Sequence, residues 1–367
     1  MNIAIISNGH GEDTIALNLI KALPTATQST IITFPLVGSG HIYHQHNLPV
    51  KLKNPTFPSG GFIRTIKDLF TDIRHGLLTH ILQQVKTIKQ QTTNTTTVIA
   101  VGDIFCLILA SFSKKPIYFL PTAKSDTFMP HSFIERWLIK KIAQKSYPRD
   151  NQTTQNFLIH KLPAAYFGNP MMDNLSTYTP IISLQKNQQL IGLLPGSRKE
   201  AYKNFQYILT ICEALPPKEN LIFACAWVPT LNIQTILAAT GWSITATTTT
   251  TQTIQNPNKT CSVILSNQFN AIINQATLCI GLAGTANEQA IYLKKPVVCF
   301  AGFGPQSTVQ RFKEQQKLLG PLLTLCERNI TTITATILKL LASPKPAVTK
   351  HHKAAAKKIM DDIFKTA

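Results

Sequence analysis

The chain has 367 residues, 44% hydrophobic and only 14% charged, and its 36 Lys and Arg against 17 Asp and Glu give a formal net charge of +19. That length predicts two domains of ordinary size, each with enough apolar residues for a core. No stretch reaches the ~18 apolar residues of a membrane span, and a signal peptide is not expected, because the start, IAII followed by glycine, histidine and acids, lacks a basic beginning and a longer apolar core. A cytoplasmic protein is expected, with room for peripheral attachment to the inner face of the cytoplasmic membrane. The excess of positive charge favours an anionic partner: nucleic acid, an anionic leaflet or a phosphorylated substrate. A merely solvated basic surface is the alternative.

In chain order, the first predicted strand is Ile3–Ser7, and SNGHGED (residues 7–13) leads from it into a helix over Asp13–Leu23. Its glycines permit a tight turn, and the helix N-terminus offers free N–H groups. Glu12 and Asp13 oppose a phosphate there, although acids in a first turn are also ordinary dipole partners. Asn8, Gly9, His10, Gly11 and Glu12 are therefore read as candidates for binding sugar-acceptor hydroxyls, with a simple turn as the alternative. A strand at Ile31–Phe34 and a helix at Phe62–Lys89 follow. Apolar residues recur along that helix among Arg64, Lys67, Arg74 and Lys86. QQTTNTTT (90–97) reads as a loop. The strand Thr97–Val101 ends in AVGD, which puts Asp103 at a strand C-terminus. A carboxylate there suits a general base, or equally the N-cap of a helix over Ile104–Ser111. After a strand at Pro116–Leu120, the helix Phe133–Ala143 mixes Phe133, Trp137 and Leu138 with Arg136, Lys140 and Lys141. Such basic amphipathic helices lie in an anionic membrane interface or pack on a sheet. A strand at Ala164–Phe167 closes the first series.

A second series begins at Leu190–Leu194 and runs into LLPGSRKE (193–200). Gly196 makes the turn, and Ser197 and Arg198 sit at a helix start. Backbone N–H groups, a hydroxyl and a guanidinium together suit a diphosphate; a plain strand–helix turn is the alternative. Next come a helix at Tyr202–Leu215, a strand at Leu221–Trp227, and a low-complexity Thr run (247–251, continuing to Lys259) read as a surface loop. Strands at Ser262–Leu265 and Leu278–Gly281 lead into GLAGTANEQA (281–290) and a helix over Ala286–Leu293. Gly284, Thr285 and Ala286 allow close approach of a ligand, and Glu288 and Gln289, expected in the first turn, suit ribose hydroxyls. Capping by Thr285 or Asn287 is the competing reading. After the strand Pro296–Phe300, AGFGPQS (301–307) offers Gln306 to a nucleotide or donor sugar, or is a plain loop ahead of the helix Gln306–Leu318. Ala347–Lys365 reads as a final helix.

Continuous apolar strands alternating with helices predict α/β architecture with parallel sheets covered on both faces. The expected division is a domain over 1–172, a polar linker over 173–188, a domain over 189–345 and a terminal helix over 346–367. The seven cysteines are scattered, without a CxxC pair, and several lie in apolar runs, which predicts buried free thiols. The ten histidines form no metal-ligand pattern, GxSxG is absent, and no nucleic-acid-binding motif accompanies the charge.

SNGHGED, AVGD, FGNPMMD (168–173), LLPGSR and GTANEQA–KKPVV, in this order over residues 1–320, resemble the lipid-A-disaccharide-synthase-related group. The resemblance implies a GT-B fold, two Rossmann-like domains with parallel sheets facing a central cleft. It implies an inverting glycosyltransferase that needs no metal and no cofactor beyond its UDP-sugar substrate. The acceptor implied is a glycolipid or sugar phosphate at an anionic membrane surface. Carried over by position, Ser197 and Arg198 hold the diphosphate, Gly284, Thr285 and Ala286 meet the nucleotide, and Asp103 is catalytic. The final helix crosses back to the first domain. Gln289 falls where related enzymes carry a ribose-binding glutamate, and SNGHGED differs from the synthase's own N-terminal motif. Two other readings therefore stay open: a UDP-N-acetylglucosamine 2-epimerase-like enzyme, and a non-catalytic binder of nucleotide sugars or anionic lipids.

Overall fold

A computed structural model describes residues 2–24, 28, 30–52, 54, 73–216, 220–305, 307–344 and 354–366. Much of the predicted Phe62–Lys89 helix, Gln306 and the segment 345–353 fall outside them. The chain divides into two compact units, Met1–Asp173 with His352–Ala367, and Asn174–His351.

The first unit is built on a five-stranded parallel sheet in the order β2-β1-β3-β4-β5: β1 Ile3–Ser7, β2 Ile31–Pro35, β3 Thr97–Gly102, β4 Ile117–Pro121 and β5 Lys145–Ser146. All five residues of β1 are buried. That is why IAIIS is apolar at successive positions instead of alternating: helices cover both faces of a parallel sheet. Its helices are α1 His10–Lys21, α2 His41–Gln45, α3 Leu77–Gln91, α4 Ile104–Ser111, α5 Phe133–Ile142 and α6 Asn151–Ile159. Ile6, Phe34, Val98, Phe119 and Phe157 meet in one core. The strand expected at Ala164–Phe167 does not form. Its contact with the sheet is an isolated bridge from Ala164 to Ser146, and the fifth strand is the polar dipeptide Lys145–Ser146, too short to register as an apolar run.

The second unit carries β6 Gln189–Leu194, β7 Leu221–Ala226, β8 Ser243–Thr247, β9 Thr251–Gln255, β10 Ser262–Ser266, β11 Ala276–Gly281, β12 Val297–Cys299 and β13 Leu323–Leu325. The sheet order is β13-β12-β11-β6-β7-β10-β9-β8. Six strands are parallel, but β9 runs antiparallel to both β10 and β8, so the sheet is mixed where a wholly parallel one was expected. The Thr-rich stretch read as a loop supplies this hairpin. β-Branched threonine fits a pleated strand, yet every residue of β8 is exposed, so no apolar pattern marks it. Helices α7 Glu200–Ala214, α8 Gln234–Thr240, α9 Phe269–Gln275, α10 Gly284–Tyr292, α11 Val309–Leu319 and α12 Ile330–Ala342 cover the sheet. All seven cysteines are buried free thiols, and burial pushes those of Cys279 and Cys299 up to about 12.

The last helix, α13 Ala355–Thr366, belongs to the first unit. Ile359, Met360 and Ile363 on it are buried. Asp362 binds Lys145 Nζ at 2.7 Å and accepts from the Tyr147 hydroxyl at 2.7 Å. Asp173, the last residue of FGNPMMD, accepts from the backbone N–H groups of Ala355 (3.0 Å) and Ala356 (2.6 Å), capping the helix from a residue 182 positions before Ala355. Replacing such a cap by alanine costs ~1–2 kcal/mol. Asp173→Ala is expected to lower stability by that amount and to speed amide exchange selectively over 355–366. Exchange mass spectrometry checks this, and uniform acceleration contradicts it.

Candidate functional site

In the first unit, SNGHGED and AVGD converge at the C-terminal ends of β1 and β3, which pair in parallel with Ser7 opposite Val101. Asn8 N donates to Val101 O at 3.1 Å. The two turns lie so close that a Cβ on Gly102 would sit 2.7 Å from Asn8 Cβ, so only glycine fits at 102. Helix α1 starts from Gly9 without any side-chain cap. His10 is its first residue and Gly11 is exposed. Glu12 is half-buried, and its Oε1 lies 3.5 Å from the Thr122 hydroxyl, which can donate to it. Burial is the main cause that raises the Glu12 carboxyl above its ordinary range. The charge of Asp103 raises it further, while Thr122 and Arg149 work against the shift. Arg149 is anchored by donating from Nη1 to Thr122 O at 3.1 Å.

Asp103 is the N-cap of α4 and accepts from Cys106 N at 3.0 Å. Capping, one of its two sequence readings, is thus observed, and a half-buried carboxylate is fixed beside Glu12. Asp103 also lines a cavity of about 20 Å³ with Gly102, Pro121, Lys124, His131 and Glu135, room for about one water. Lys124 and Glu135 are paired at 2.5 Å, and His131 Nδ1 lies 2.6 Å from Asp126 Oδ1. One residue further along α1, Asp13 plays another part. It is buried, accepts from the Ser7 hydroxyl at 2.6 Å, and has Tyr43 behind Ser7 at 2.7 Å.

In the second unit, the donor candidates gather at the C-terminal ends of the adjacent parallel strands β6 and β11, where Leu282 N donates to Leu194 O at 2.9 Å. Gly196 has φ +111, which disfavours any side chain. Ser197 and Arg198 are exposed in the turn before α7, whose start has no side-chain cap. Gly284 opens α10 and Thr285 is exposed within it; this helix too begins without a side-chain cap, so neither Thr285 nor Asn287 plays that part. Because α10 starts at Gly284, two residues before the predicted Ala286, Glu288 and Gln289 stand in its second turn, not its first. Both are half-buried.

Asp103, Ser132, Asp150, Thr308 and Asn329 cap α4, α5, α6, α11 and α12 with their own side chains. The three helices that open from SNGHGED, LLPGSR and GTANEQA have no such cap, and neither do α2, α3, α8 and α9. A helix start without a side-chain cap leaves backbone N–H groups that an anion or a hydroxyl oxygen can satisfy, although in α1 the Glu12 carboxylate already takes its own backbone N–H. Sequence reasoning missed Thr122, Arg149, Asn204 and Gln315, which reach these loops from elsewhere in the chain and carry no local motif, and it did not foresee that Ser307, the end of AGFGPQS, binds Leu282 O.

No family model matches the chain, and no curated protein matches it in sequence. Solved structures do. UDP-GlcNAc 2-epimerase from Neisseria meningitidis, bound to UDP-GlcNAc, aligns over 100% of both chains with a TM-score of 0.60 and 14% identity. UDP-GlcNAc 2-epimerase from Methanocaldococcus jannaschii aligns over 100% of both chains at 0.59 and 14%. The kitacinnamycin glycosyltransferase aligns over 99% of this chain and 98% of its own at 0.63 and 10%. Among the described residues, no helix is long and apolar enough to cross a membrane. Two Rossmann-like domains, the first on a parallel sheet and the second on a mixed one, give this chain the GT-B fold.

Proposed function

We propose that this protein is a UDP-sugar enzyme, and specifically an inverting glycosyltransferase akin to lipid-A-disaccharide synthase that transfers a sugar to a glycolipid or sugar-phosphate acceptor. The observation that carries the reading is the desolvated Glu12 carboxyl beside Asp103 at the C-terminal edge of the first sheet. A carboxylate with a raised proton affinity is what deprotonating an acceptor hydroxyl requires. Asp103, the catalytic candidate from the sequence, is read as its partner, and Asn8, Gly9, His10 and Gly11 as the acceptor's cradle. The donor is assigned to the second unit. Its diphosphate meets the turn at Gly196, Ser197 and Arg198, and the uridine meets Gly284, Thr285 and Ala286, with Glu288, Gln289 and Gln306 for the ribose and sugar. The leaving diphosphate gains charge as the glycosidic bond to the donor breaks, and a guanidinium and helix N-termini stabilise that charge.

The test is UDP release from UDP-GlcNAc. It is expected only when membrane glycolipid extract is added. Product carrying the labelled sugar supports transfer, and no release with any acceptor extract contradicts it. A second reading, a 2-epimerase-like enzyme, is favoured by the fold of the two epimerases above. It predicts conversion of UDP-GlcNAc without any acceptor, with deuterium entering at C2 in heavy water.

An anionic membrane surface as partner is supported by α5. Phe133 is 76% exposed and Trp137 52%, with Ile134 beside them and Lys140 and Lys141 on the same helix. Apolar residues that reach water beside lysines fit a headgroup layer, each lysine adding ~1 kcal/mol near an anionic surface. Trp137 fluorescence is expected to shift to the blue with vesicles containing phosphatidylglycerol but not with neutral ones. Phe133→Glu should lower vesicle affinity about tenfold. Equal binding to neutral vesicles contradicts the proposal.

A further inference from the structure

We infer that Asn204 is the positioning residue of the donor site, an assignment that rests on the donor reading above. Asn204 lies on the second turn of α7 and is 2% exposed. Its Nδ2 donates to Pro195 O at 3.1 Å and to Phe303 O at 3.3 Å, and its Oδ1 accepts from Phe303 N at 2.7 Å. Both donors of the amide and its oxygen are committed. The two segments so joined are the turn that carries Gly196, Ser197 and Arg198, and the AGFG loop after β12.

A second link extends this hub to the third loop. Ser307, also buried, donates to Leu282 O at 2.7 Å, and Gly302 N donates to Ser307 O at 2.8 Å. Gly302 is wedged between the two links. A Cβ there would stand 2.8 Å from Asn204 Oδ1, 3.0 Å from Ser307 Cβ and 3.2 Å from Leu282 Cδ1. On the outer side, the Arg328 guanidinium lies 4.4 Å from the ring centres of both Tyr207 and Phe303, a cation–π sandwich that presses Phe303 toward α7.

The physical logic is that backbone groups beyond strand ends have no ladder partner and must find one elsewhere. A single buried amide here satisfies three of them at once, on two loops that are 108 residues apart in sequence at Pro195 and Phe303. The diphosphate-binding turn is thereby fixed in place before ligand arrives, and less of the binding free energy goes into ordering it. Asn204 touches no phosphate in this scheme; it acts through the turn.

The test is the ratio of UDP to uridine affinity, measured by calorimetry for UDP and by competition for uridine. Asn204→Ala strands three backbone groups, so UDP affinity should fall ~10- to 100-fold. Uridine affinity should stay within about twofold, because the nucleoside contacts are assigned to α10. Asn204→Ser, a less drastic loss of the same amide, should lower the ratio in the same way, which covers the case of an insoluble alanine variant. Asn204→Gln should recover part of the lost ratio. A ratio unchanged in the soluble variants, or UDP and uridine weakened equally, overturns the assignment while the donor reading stands. A wild type that does not bind UDP overturns the donor reading and this assignment together.

Discussion

Glu12→Gln should lower turnover by ~10²- to 10⁴-fold, the contribution of a positioned general base, with UDP affinity changed by less than about twofold. The side chain is isosteric and cannot take a proton. The pH dependence gives a finer test. Burial and the charge of Asp103 raise the Glu12 carboxyl, and a base works only when deprotonated. Activity should therefore rise with pH along a limb above the ordinary carboxylate range. Asp103→Asn keeps an oxygen to accept from Cys106 N but removes one charge that raises Glu12, so the limb should move toward acid. A limb that stays put, or a Glu12→Gln enzyme with normal turnover, contradicts the assignment. If Asp103→Asn instead abolishes turnover at every pH, Asp103 is the base and Glu12 an acceptor ligand.

The second large effect concerns stability. Burial pushes the Asp13 carboxyl up to about 7, and its Oδ2 is buried without a partner. In the unfolded chain the group titrates near 4. The folded state therefore prefers the protonated form. The resulting stability is fully present below pH 4 and is lost as pH rises from 4 through 7. By linkage the loss is on the order of 4 kcal/mol. Asp13→Asn keeps an acceptor for the Ser7 hydroxyl and carries no charge at any pH. Denaturation of the variant should show this part of the pH dependence removed and stability at pH 8 raised above wild type. An unchanged slope between pH 4 and 7 contradicts the account.

Much of the fold was legible because parallel strands buried on both faces leave continuous apolar runs. Ile3–Ser7 is predicted to the residue, and Leu190–Leu194 to within one. Elements without that signature escaped: β5 is two polar residues, and β8 is wholly exposed. The candidate site was legible where glycine-bearing turns follow apolar strands, because a tight turn and an open helix start each need particular residues. It was not legible where buried polar groups reach across the sequence. Nothing near Asn204 announces that it will bind Phe303, and nothing in FGNPMMD announces that Asp173 will cap α13. Such partners are defined by three-dimensional closure alone.

The most direct measurement is calorimetric titration of UDP into wild type and Arg198→Ala. Saturable binding by wild type is expected, weakened ~10- to 100-fold in the variant by loss of a charge-assisted, bidentate contact. A wild type that binds neither UDP nor any nucleotide sugar would contradict it.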